Sequence, residues 1–234
     1  MKSRYISQQL RHDADSINGR IIVLTGARQT GKTTLVRTYL PDYQYISIED
    51  PVATDALVRL TAAQWMDLYP KAILDEVQKR PNLVESIKSV YDQWDAPRYV
   101  LLGSSQLLLL KKVRESLAGR CIIREVYPLT LPELQTTSEK DIVADSPWQT
   151  LLTQSQLPKL YPVFTLDPKY AAKMKAWQHY QTFGGYPALT DERRSDEDRY
   201  QWLKGYVRTY LERDVRDLAA MQDLEPYSRL QQAI

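Results

Sequence analysis

Short apolar runs alternate with amphipathic segments along the first half of this 234-residue chain. Five segments have the length and composition of buried strands: residues 20–25, 43–48, 72–74, 98–102 and 121–126. The segments between them repeat apolar positions at helical spacing, which predicts helices over residues 34–40, 52–69, 82–91 and 107–115. Strands that alternate with helices predict an α/β fold, in which a mostly parallel sheet is covered by helices on both faces.

The second half of the chain has a different pattern. Residues 135–165 begin with a stretch rich in Gln, Ser, Thr and Asp that shows little periodicity, which is typical of a mobile insertion or linker. Helical spacing returns beyond this stretch and is interrupted at Gly184-Gly185. We therefore predict a core over residues 1–134 that starts with an entry segment over 1–19, a polar linker over 135–165, and a helical lid over 166–234.

A glycine-rich loop lies between the first predicted strand and the first predicted helix. Its sequence, GARQTGKT over residues 26–33, fits the pattern G-x-x-x-x-G-K-[ST] of a phosphate-binding loop. The pattern alone also occurs in ordinary glycine turns. The order strand, loop, helix is the structural context that the motif requires, so it favours nucleotide binding.

The residue types of the loop suit a triphosphate ligand. Gly26 and Gly31 let the backbone approach the anion, and the loop and helix N–H groups point at the phosphates. Lys32 brings a positive charge to the terminal phosphates, and the Thr33 hydroxyl is a ligand for Mg²⁺. We predict that the nucleotide contacts the whole loop and its flank: Gly26, Ala27, Arg28, Gln29, Thr30, Gly31, Lys32, Thr33 and Thr34.

An acidic pair follows the third predicted strand directly. The carboxyl ends of parallel strands meet at one edge of a sheet, so Asp75 and Glu76 are expected to lie close to the loop. Asp75 can then support Mg²⁺, and Glu76 can orient and deprotonate a water that attacks the γ-phosphate. Alone, such a pair is more often a solvated helix start, but the loop favours the catalytic interpretation.

Two further candidates follow the fourth predicted strand. Ser104, with its neighbours Ser105 and Gln106, could place a polar group between the water and the γ-phosphate, or it could simply cap the next helix. Three arginines lie further along, Arg114, Arg120 and Arg124, and one of them could be an arginine finger that acts in cis or on a neighbouring subunit. Arg120 is our candidate, whereas the ordinary role of such an arginine is a surface ion pair.

The lid carries two sequence features with open roles. The turn around Gly184-Gly185 could close over the adenine, act as a hinge, or merely join two helices. Arginines in the last predicted helix form a solvated face by default, although one of them could reach the nucleotide: Arg208, Arg213 and Arg216.

Composition narrows the function classes. The net charge of +2 gives no strong bias towards nucleic acid. Cys121 has no second cysteine with which to form an internal disulfide, which fits a reducing compartment. The polar N-terminus has no apolar signal segment, and no apolar run approaches the length of a membrane span. We therefore expect a cytoplasmic protein without a membrane partner.

With these motifs in place, the chain resembles a family of bacterial and archaeal AAA-superfamily ATPases. Seven short motifs, in the expected order, carry the resemblance: GARQTGKTT at 26–34, ILDEVQ at 73–78, LGSS at 102–105, SLAGR at 116–120, YPLT at 127–130, GGYP at 184–187, and YLERDV at 210–215. The resemblance implies ATP and Mg²⁺ as cofactors, a core sheet with strand order 5-1-4-3-2, Ser104 at the sensor position and a helical lid.

The same resemblance implies a further part of the protein. Members of this family usually continue into a C-terminal, nuclease-like domain of unknown function. The present sequence ends at Ile234 within a predicted helix, so we expect that domain to be missing here. A partner protein or DNA would then be contacted through the missing domain, and a homo-oligomer is a further expectation.

Three function classes remain open from the sequence. The first is an ATPase that acts as a nucleotide-driven switch or motor. The second is a module that binds nucleotide without hydrolysing it. The third is a P-loop kinase, which the glutamate next to Asp75 disfavours because that residue suits attack by water. A GTPase is disfavoured as well, because the chain has no N-K-x-D motif.

Overall fold

A parallel sheet forms the centre of the protein. The computed structural model describes residues 1–103, 112–113, 115–145, 150–152 and 169–211. Within these residues the sheet has five strands in the order β2-β3-β4-β1-β5, and every neighbouring pair is parallel. The strands are β1 (Ile21–Thr25), β2 (Gln44–Ser47), β3 (Lys71–Asp75), β4 (Arg98–Leu102) and β5 (Ile122–Glu125). The predicted fold class and strand order are confirmed, because 5-1-4-3-2 is this order counted from the other edge.

Helices precede, connect and follow the strands. They are α1 (Tyr5–Asp15), α2 (Lys32–Tyr39), α3 (Pro51–Val58), α4 (Ala62–Leu68), α5 (Asn82–Gln93), α6 (Leu131–Leu134), α7 (Tyr170–Phe183) and α8 (Asp196–Tyr206). Short 3₁₀ turns cover Ile17–Arg20, Val77–Lys79 and Pro187–Thr190, and a π-helical turn over Val207–Leu211 continues α8. The helix predicted over 107–115 falls largely on residues outside the described part of the chain.

The helical spacing over residues 52–69 belongs to two helices rather than one. Thr61 begins α4 with a capping box: its hydroxyl accepts a hydrogen bond from the Gln64 backbone N–H at 3.3 Å. The Gln64 side chain in return accepts from the Thr61 N–H at 2.9 Å. Because this box satisfies the N–H groups of a helix start, a new helix begins after Thr61 where periodicity alone shows one segment.

The strands bury side chains on both faces, as their nearly continuous apolar runs predict. Ile21, Val23 and Leu101 face the cluster formed with α3, α4 and α5, while Ile22 and Leu24 face the cluster formed with α1 and α2. All of these residues are fully buried. The alternation of neighbouring residues between two apolar clusters fixes the sheet between two layers of helices.

The segments that flank the linker are packed differently. Among the described residues of α7 and α8, Phe183 is buried and α8 has no buried residue. The first residues of the predicted linker contact the N-terminus, since Lys2 Nζ donates to Thr136 O at 2.5 Å and Ser3 N to Thr136 Oγ1 at 2.9 Å. The division of the chain into core, linker and lid stays a prediction.

In the part of the chain that the structure describes, no helix combines the length and the apolar character needed to cross a bilayer.

Candidate active site

A cleft of about 430 Å³ opens at the carboxyl end of the sheet. It lies above β1 and β3 and beside the start of α2, where the ends of parallel strands and a helix N-terminus meet. The lining side chains come from the predicted loop, from the acidic pair and from the lid: Arg28, Gln29, Gly31, Lys32, Thr33, Thr34, Asp75, Glu76 and Pro187. The structure therefore brings the loop, Asp75 and Glu76 into one cavity.

The loop has a backbone that requires its glycines, for two different reasons. Gly31 has φ 90° and stands at the N-cap of α2, a left-handed conformation that other residues rarely adopt. A Cβ on Gly26 would lie 2.3 Å from the Val126 carbonyl oxygen, in the chain just after β5. Gly26 is thus required by the packing of the loop against β5, a reason that the sequence does not reveal.

Lys32 is held across the loop by main-chain oxygens. Its side chain is buried, and Nζ donates to Gly26 O at 2.9 Å and to Ala27 O at 2.8 Å. Thr30 Oγ1 donates to the same Ala27 oxygen at 3.0 Å. The ammonium group therefore lies at the centre of the loop, where a phosphate oxygen can compete with neutral carbonyls for its charge-assisted hydrogen bonds.

The carboxylate of Asp75 connects three elements. Its Oδ2 accepts hydrogen bonds from Thr33 Oγ1 at 2.6 Å and from Tyr45 OH at 2.9 Å, and its Oδ1 accepts from the Glu76 N–H at 3.0 Å. A hydroxyl and a carboxylate side by side are the hard oxygen donors that Mg²⁺ prefers. The donor set therefore fits the predicted metal. The sequence analysis missed Tyr45, since no motif marks it.

Glu76 stands at the edge of the cleft in an unusual backbone conformation. Its φ of 60° lies in the left-handed region, which is uncommon for a residue with a side chain and is often found at functional sites. The Gln78 side-chain amide donates a hydrogen bond to Glu76 Oε2. The carboxylate is therefore oriented by a residue two positions further along the chain, at the start of the turn that follows β3.

An N-terminal arginine supports the loop from behind. Arg4 is buried, and it donates to Thr30 O at 2.9 Å through Nη1 and to Tyr127 O at 2.5 Å through Nη2. Its Nε lies 3.4 Å from Glu133 Oε1. Burial lowers the pKa of Arg4, and the carboxylate of Glu133 opposes that shift. Arg4 thus joins the phosphate-binding loop to the chain after β5. The sequence analysis missed this role, because it treated residues 1–19 only as an entry segment.

A second cavity of about 470 Å³ adjoins the cleft. The two cavities share Gly31, Thr34 and Pro187, and apolar side chains such as Leu35 and Leu129 line the second one. Two distant segments contribute to it: Met1, Lys2 and Arg4 from the N-terminal segment, and Thr190, Asp191 and Glu192 from the predicted lid. The cavity therefore lies between residues of the predicted core and residues of the predicted lid.

Lid residues contact the loop and the core directly. Tyr206 OH donates to Arg28 O at 3.2 Å, and the ring of Tyr206 packs against the rings of Tyr186 and Trp202. At the Gly184-Gly185 turn, Leu129 N donates to Gly185 O at 2.6 Å. These contacts place α8 beside the phosphate-binding loop.

Arg120 lies away from the cleft of its own chain. It lies just before β5, whose first residue is beside Ile22 near the start of β1. The phosphate-binding loop follows the other end of β1. Arg120 Nε donates to Asp92 Oδ1 at 2.9 Å near the end of α5. Arg120 thus makes the ordinary ion pair at the opposite edge of the sheet, and the alternative role on a neighbouring subunit stays a prediction.

The other arginine and serine candidates have mixed outcomes. Arg124 pairs with Asp13 at 2.8 Å, which accounts for it structurally. Arg208 is exposed in the π-helical turn that follows α8. The remaining candidates lie outside the described residues: Ser104, Ser105, Gln106, Arg114, Arg213 and Arg216.

Comparisons with known proteins support the geometry. An AAA domain matches residues 18–135, and a domain of unknown function (DUF8612) matches residues 174–234. The uncharacterized protein Rv2008c of Mycobacterium tuberculosis is 30% identical over 202 residues, which are 85% of this chain and 36% of that protein. The uncharacterized protein MJ1544 of Methanocaldococcus jannaschii is 26% identical over 218 residues, with 84% of this chain and 43% of that protein covered.

A solved structure has the same fold. The Walker-type ATPase PABY2304 of Pyrococcus abyssi superposes with a TM-score of 0.55 at 16% identity, over 93% of this chain and 76% of that one. At this identity the likeness shows the fold alone. The present chain spans well under half the length of the curated relatives, so a nuclease-like further domain stays a prediction. The AAA domain match includes half of the chain and all the core residues of the cleft, and the chain belongs to the AAA domain family.

Proposed function

We propose that the protein binds ATP together with Mg²⁺ and hydrolyses it in the cleft above β1 and β3. The hydrogen bond of 2.6 Å between Thr33 Oγ1 and Asp75 Oδ2 carries this proposal. It joins the start of α2 to the end of β3 beside Lys32 and Glu76. Phosphoryl transfer to water uses side chains of these types: a hydroxyl, a carboxylate, an ammonium group and a second carboxylate.

The loop would bind the triphosphate through its main chain. The first N–H groups of a helix lack partners within the helix and favour an anion, and Lys32, Thr33 and Thr34 at the start of α2 line the cleft. Lys32 would exchange its bonds with the carbonyls of Gly26 and Ala27 for bonds with the β- and γ-phosphate oxygens. Thr33 and Asp75 would hold Mg²⁺, which supplies charge neutralisation at the phosphates when bound.

Glu76 would act as the general base. Its carboxylate accepts a proton from a water molecule while the water oxygen bonds to the γ-phosphorus. The bond between that phosphorus and the bridging oxygen breaks, and the products are ADP and inorganic phosphate. Before this step the carboxylate has to exchange its hydrogen bond from Gln78 for one from the water.

The second cavity would receive the base and ribose of the nucleotide. It continues the cleft past Gly31 and Pro187, and its apolar side chains Leu35 and Leu129 suit the faces of an adenine. Lid residues form one wall, so a bound nucleotide would contact both core and lid. This arrangement supports a switch or motor in which nucleotide state sets the position of the lid and of an attached domain or partner.

Two candidate residues keep supporting roles within this proposal. Arg120 lies away from the cleft of its own chain, so its role as an arginine finger would be on the nucleotide of a neighbouring copy. Ser104 would act as the sensor after β4.

A binding module without turnover is the second candidate function. The contact between Gln78 and Glu76 favours it, because a carboxylate that keeps this hydrogen bond is less available to a water molecule. In that case ATP would order the lid and expose a partner surface without being cleaved.

Two substitutions test the main proposal. Lys32→Ala removes charge-assisted hydrogen bonds to the phosphates and should weaken binding of a fluorescent ATP analogue by about 100-fold or more. Glu76→Gln keeps the shape of the side chain, so binding should persist while phosphate release falls by about 100-fold or more.

Matched controls come from exposed residues elsewhere. Lys71→Ala removes a lysine that pairs with Asp42 at the opposite edge of the sheet, and Glu197→Gln changes an exposed residue of α8. Both controls should bind and hydrolyse ATP like the parent. Phosphate release by Glu76→Gln at the parent rate would overturn the role of Glu76. Tight ATP binding without any turnover in the parent would favour the binding module.

A further inference from the structure

Tyr45 reaches the candidate active site along one face of the sheet. It lies on β2 opposite Ile73 of β3, and Ser47, two residues later, lies opposite Asp75. Residues two apart on a strand share a face, so Tyr45 and Asp75 project from the same side of neighbouring strands. The phenol group spans the distance between them and donates to Asp75 Oδ2 at 2.9 Å.

The hydrogen bonds of Asp75 leave a defined acceptor position. A carboxylate oxygen has two lone pairs. Oδ2 uses both, for the hydroxyls of Thr33 and Tyr45, and Oδ1 uses one, for the Glu76 N–H. Among the described residues no other donor reaches Oδ1, so its second lone pair is the part of this carboxylate left for a metal ion or a water bound to it.

The Tyr45 side chain is well suited to act as a fixed donor. An ionised carboxylate only accepts hydrogen bonds, so the Tyr45 hydroxyl is the donor in its contact of 2.9 Å with Asp75 Oδ2. Its ring packs against the apolar cluster of α1 and α2, and the guanidinium carbon of Arg37 lies 4.9 Å from the ring centroid. The ring therefore holds the hydroxyl in place without help from a ligand.

We propose that Tyr45 is a positioning residue that holds Asp75 with Oδ1 directed to the metal, an inference that rests on the proposed function. Without Tyr45 each oxygen of Asp75 would keep a single donor, Thr33 Oγ1 on Oδ2 and the Glu76 N–H on Oδ1. The carboxylate would then turn more easily about its Cβ–Cγ bond. Partners that orient a metal ligand from the outside typically change metal affinity by about 10- to 100-fold when they are removed. Tyr45 thus acts through Asp75 and has no contact with the substrate of its own.

The variant Tyr45→Phe isolates this role. It keeps the ring and its packing and removes only the hydroxyl. With a non-hydrolysable ATP analogue bound, we expect Mn²⁺ to bind about 10-fold more weakly than to the parent, as measured by electron paramagnetic resonance of free Mn²⁺. The binding of the analogue in the presence of EDTA should stay unchanged, because phosphate contacts of the loop do not involve Tyr45.

The control Tyr43→Phe removes a hydroxyl just before the same strand. Tyr43 is buried and makes no side-chain hydrogen bond to a described residue, so its variant should bind Mn²⁺ like the parent. In steady-state assays, Tyr45→Phe should need about 10-fold more Mg²⁺ for half-maximal phosphate release, with a kcat at saturating Mg²⁺ within about 2-fold of the parent. A structural defect would instead lower kcat at every metal concentration.

The outcomes separate this inference from the proposed function. Equal Mn²⁺ affinities of the parent and Tyr45→Phe would overturn the role of Tyr45 and leave the proposed function intact. Weaker binding of the analogue in EDTA would also overturn it, because the defect would then concern the loop. If the parent itself retained no Mn²⁺ together with the analogue, the proposed function would fail first.

Discussion

The predicted core and the described part of the predicted lid are held by different kinds of contact. In the core, all five residues of β1 are buried, and β4 is buried from Tyr99 to Leu102. In the lid, α8 has no buried residue, and aromatic rings with centroids 4.8–5.3 Å apart supply its contacts: Tyr186, Trp202 and Tyr206. The core is therefore stabilised by apolar burial, and the lid by a few directional contacts.

This difference assigns the stability of the fold to the core and the response to a bound ligand to the lid. Burial of a large apolar area makes the position of β1 and β3 independent of a ligand, so the loop and Asp75 have a fixed base. The described residues of the predicted lid bury few side chains, Phe183 and Leu189 among them, and regions of this kind open at low free energy. A ligand that contacts both parts can therefore change the position of the lid without changing that of the core. Three predictions test the comparison, from the largest expected effect to the smallest.

The same substitution at a core leucine and at a lid leucine should have unequal effects. Leu101 is fully buried in the middle of the sheet, so Leu101→Ala should lower the free energy of unfolding by about 2–5 kcal/mol. Leu203 lies half-buried on α8, and Leu203→Ala should cost about 1 kcal/mol or less. Urea denaturation followed by circular dichroism measures both. Equal losses would show that the lid is as tightly packed as the core.

A methyl group added at Gly185, where the lid contacts Leu129 of the core, should weaken the contact between lid and core. A Cβ on Gly185 would lie 2.0 Å from the Leu129 carbonyl oxygen, so Gly185→Ala forces the two segments apart at a cost of about 1–3 kcal/mol. Hydrogen exchange of residues 184–206 should become faster, while exchange of β1 and β4 should stay unchanged.

The matched glycine lies on α8. A Cβ on Gly205 meets no heavy atom within 4 Å, so Gly205→Ala should stabilise the helix by about 0.5–1 kcal/mol and slow exchange there. Opposite directions at the two positions would support the contact at Gly185. Faster exchange of the core strands in Gly185→Ala would show that lid and core open together.

The smallest effect is expected for the hydroxyl that joins lid and loop. Tyr206→Phe removes the donor to Arg28 O and should weaken lid docking by about 1 kcal/mol, which corresponds to about fivefold faster hydrogen exchange in α8. The control Tyr200→Phe changes a ring that contacts Phe183 and lies on the exposed side of α8. The control should leave hydrogen exchange in α8 unchanged. If exchange were also unchanged in Tyr206→Phe, the Tyr206 hydroxyl would have no part in holding the lid to the loop.

The sequence by itself determined the framework. The alternation of apolar runs and amphipathic segments defines strands and helices through local periodicity. The rule that carboxyl ends of parallel strands share one edge was enough to bring residues 26–34 and the acidic pair together. These predictions succeeded because each depends on neighbouring residues or on a general property of parallel sheets. The boundary between α3 and α4 was missed because the capping box at Thr61 interrupts a continuous helical spacing.

Only the tertiary structure decided which side chains support that framework. Three hydrogen bonds join residues that are far apart in the sequence: Tyr45 and Asp75 are separated by 30 residues, Arg4 and Tyr127 by 123, and Tyr206 and Arg28 by 178. The position of Arg120 at the opposite edge likewise follows from the direction of β5. No local pattern encodes such pairs, because they depend on which strands are neighbours and on the exact path of side chains between packed layers. Hydrogen bonds that connect distant segments are therefore set by the assembled fold, whereas the periodicity that builds its elements is set by the chain.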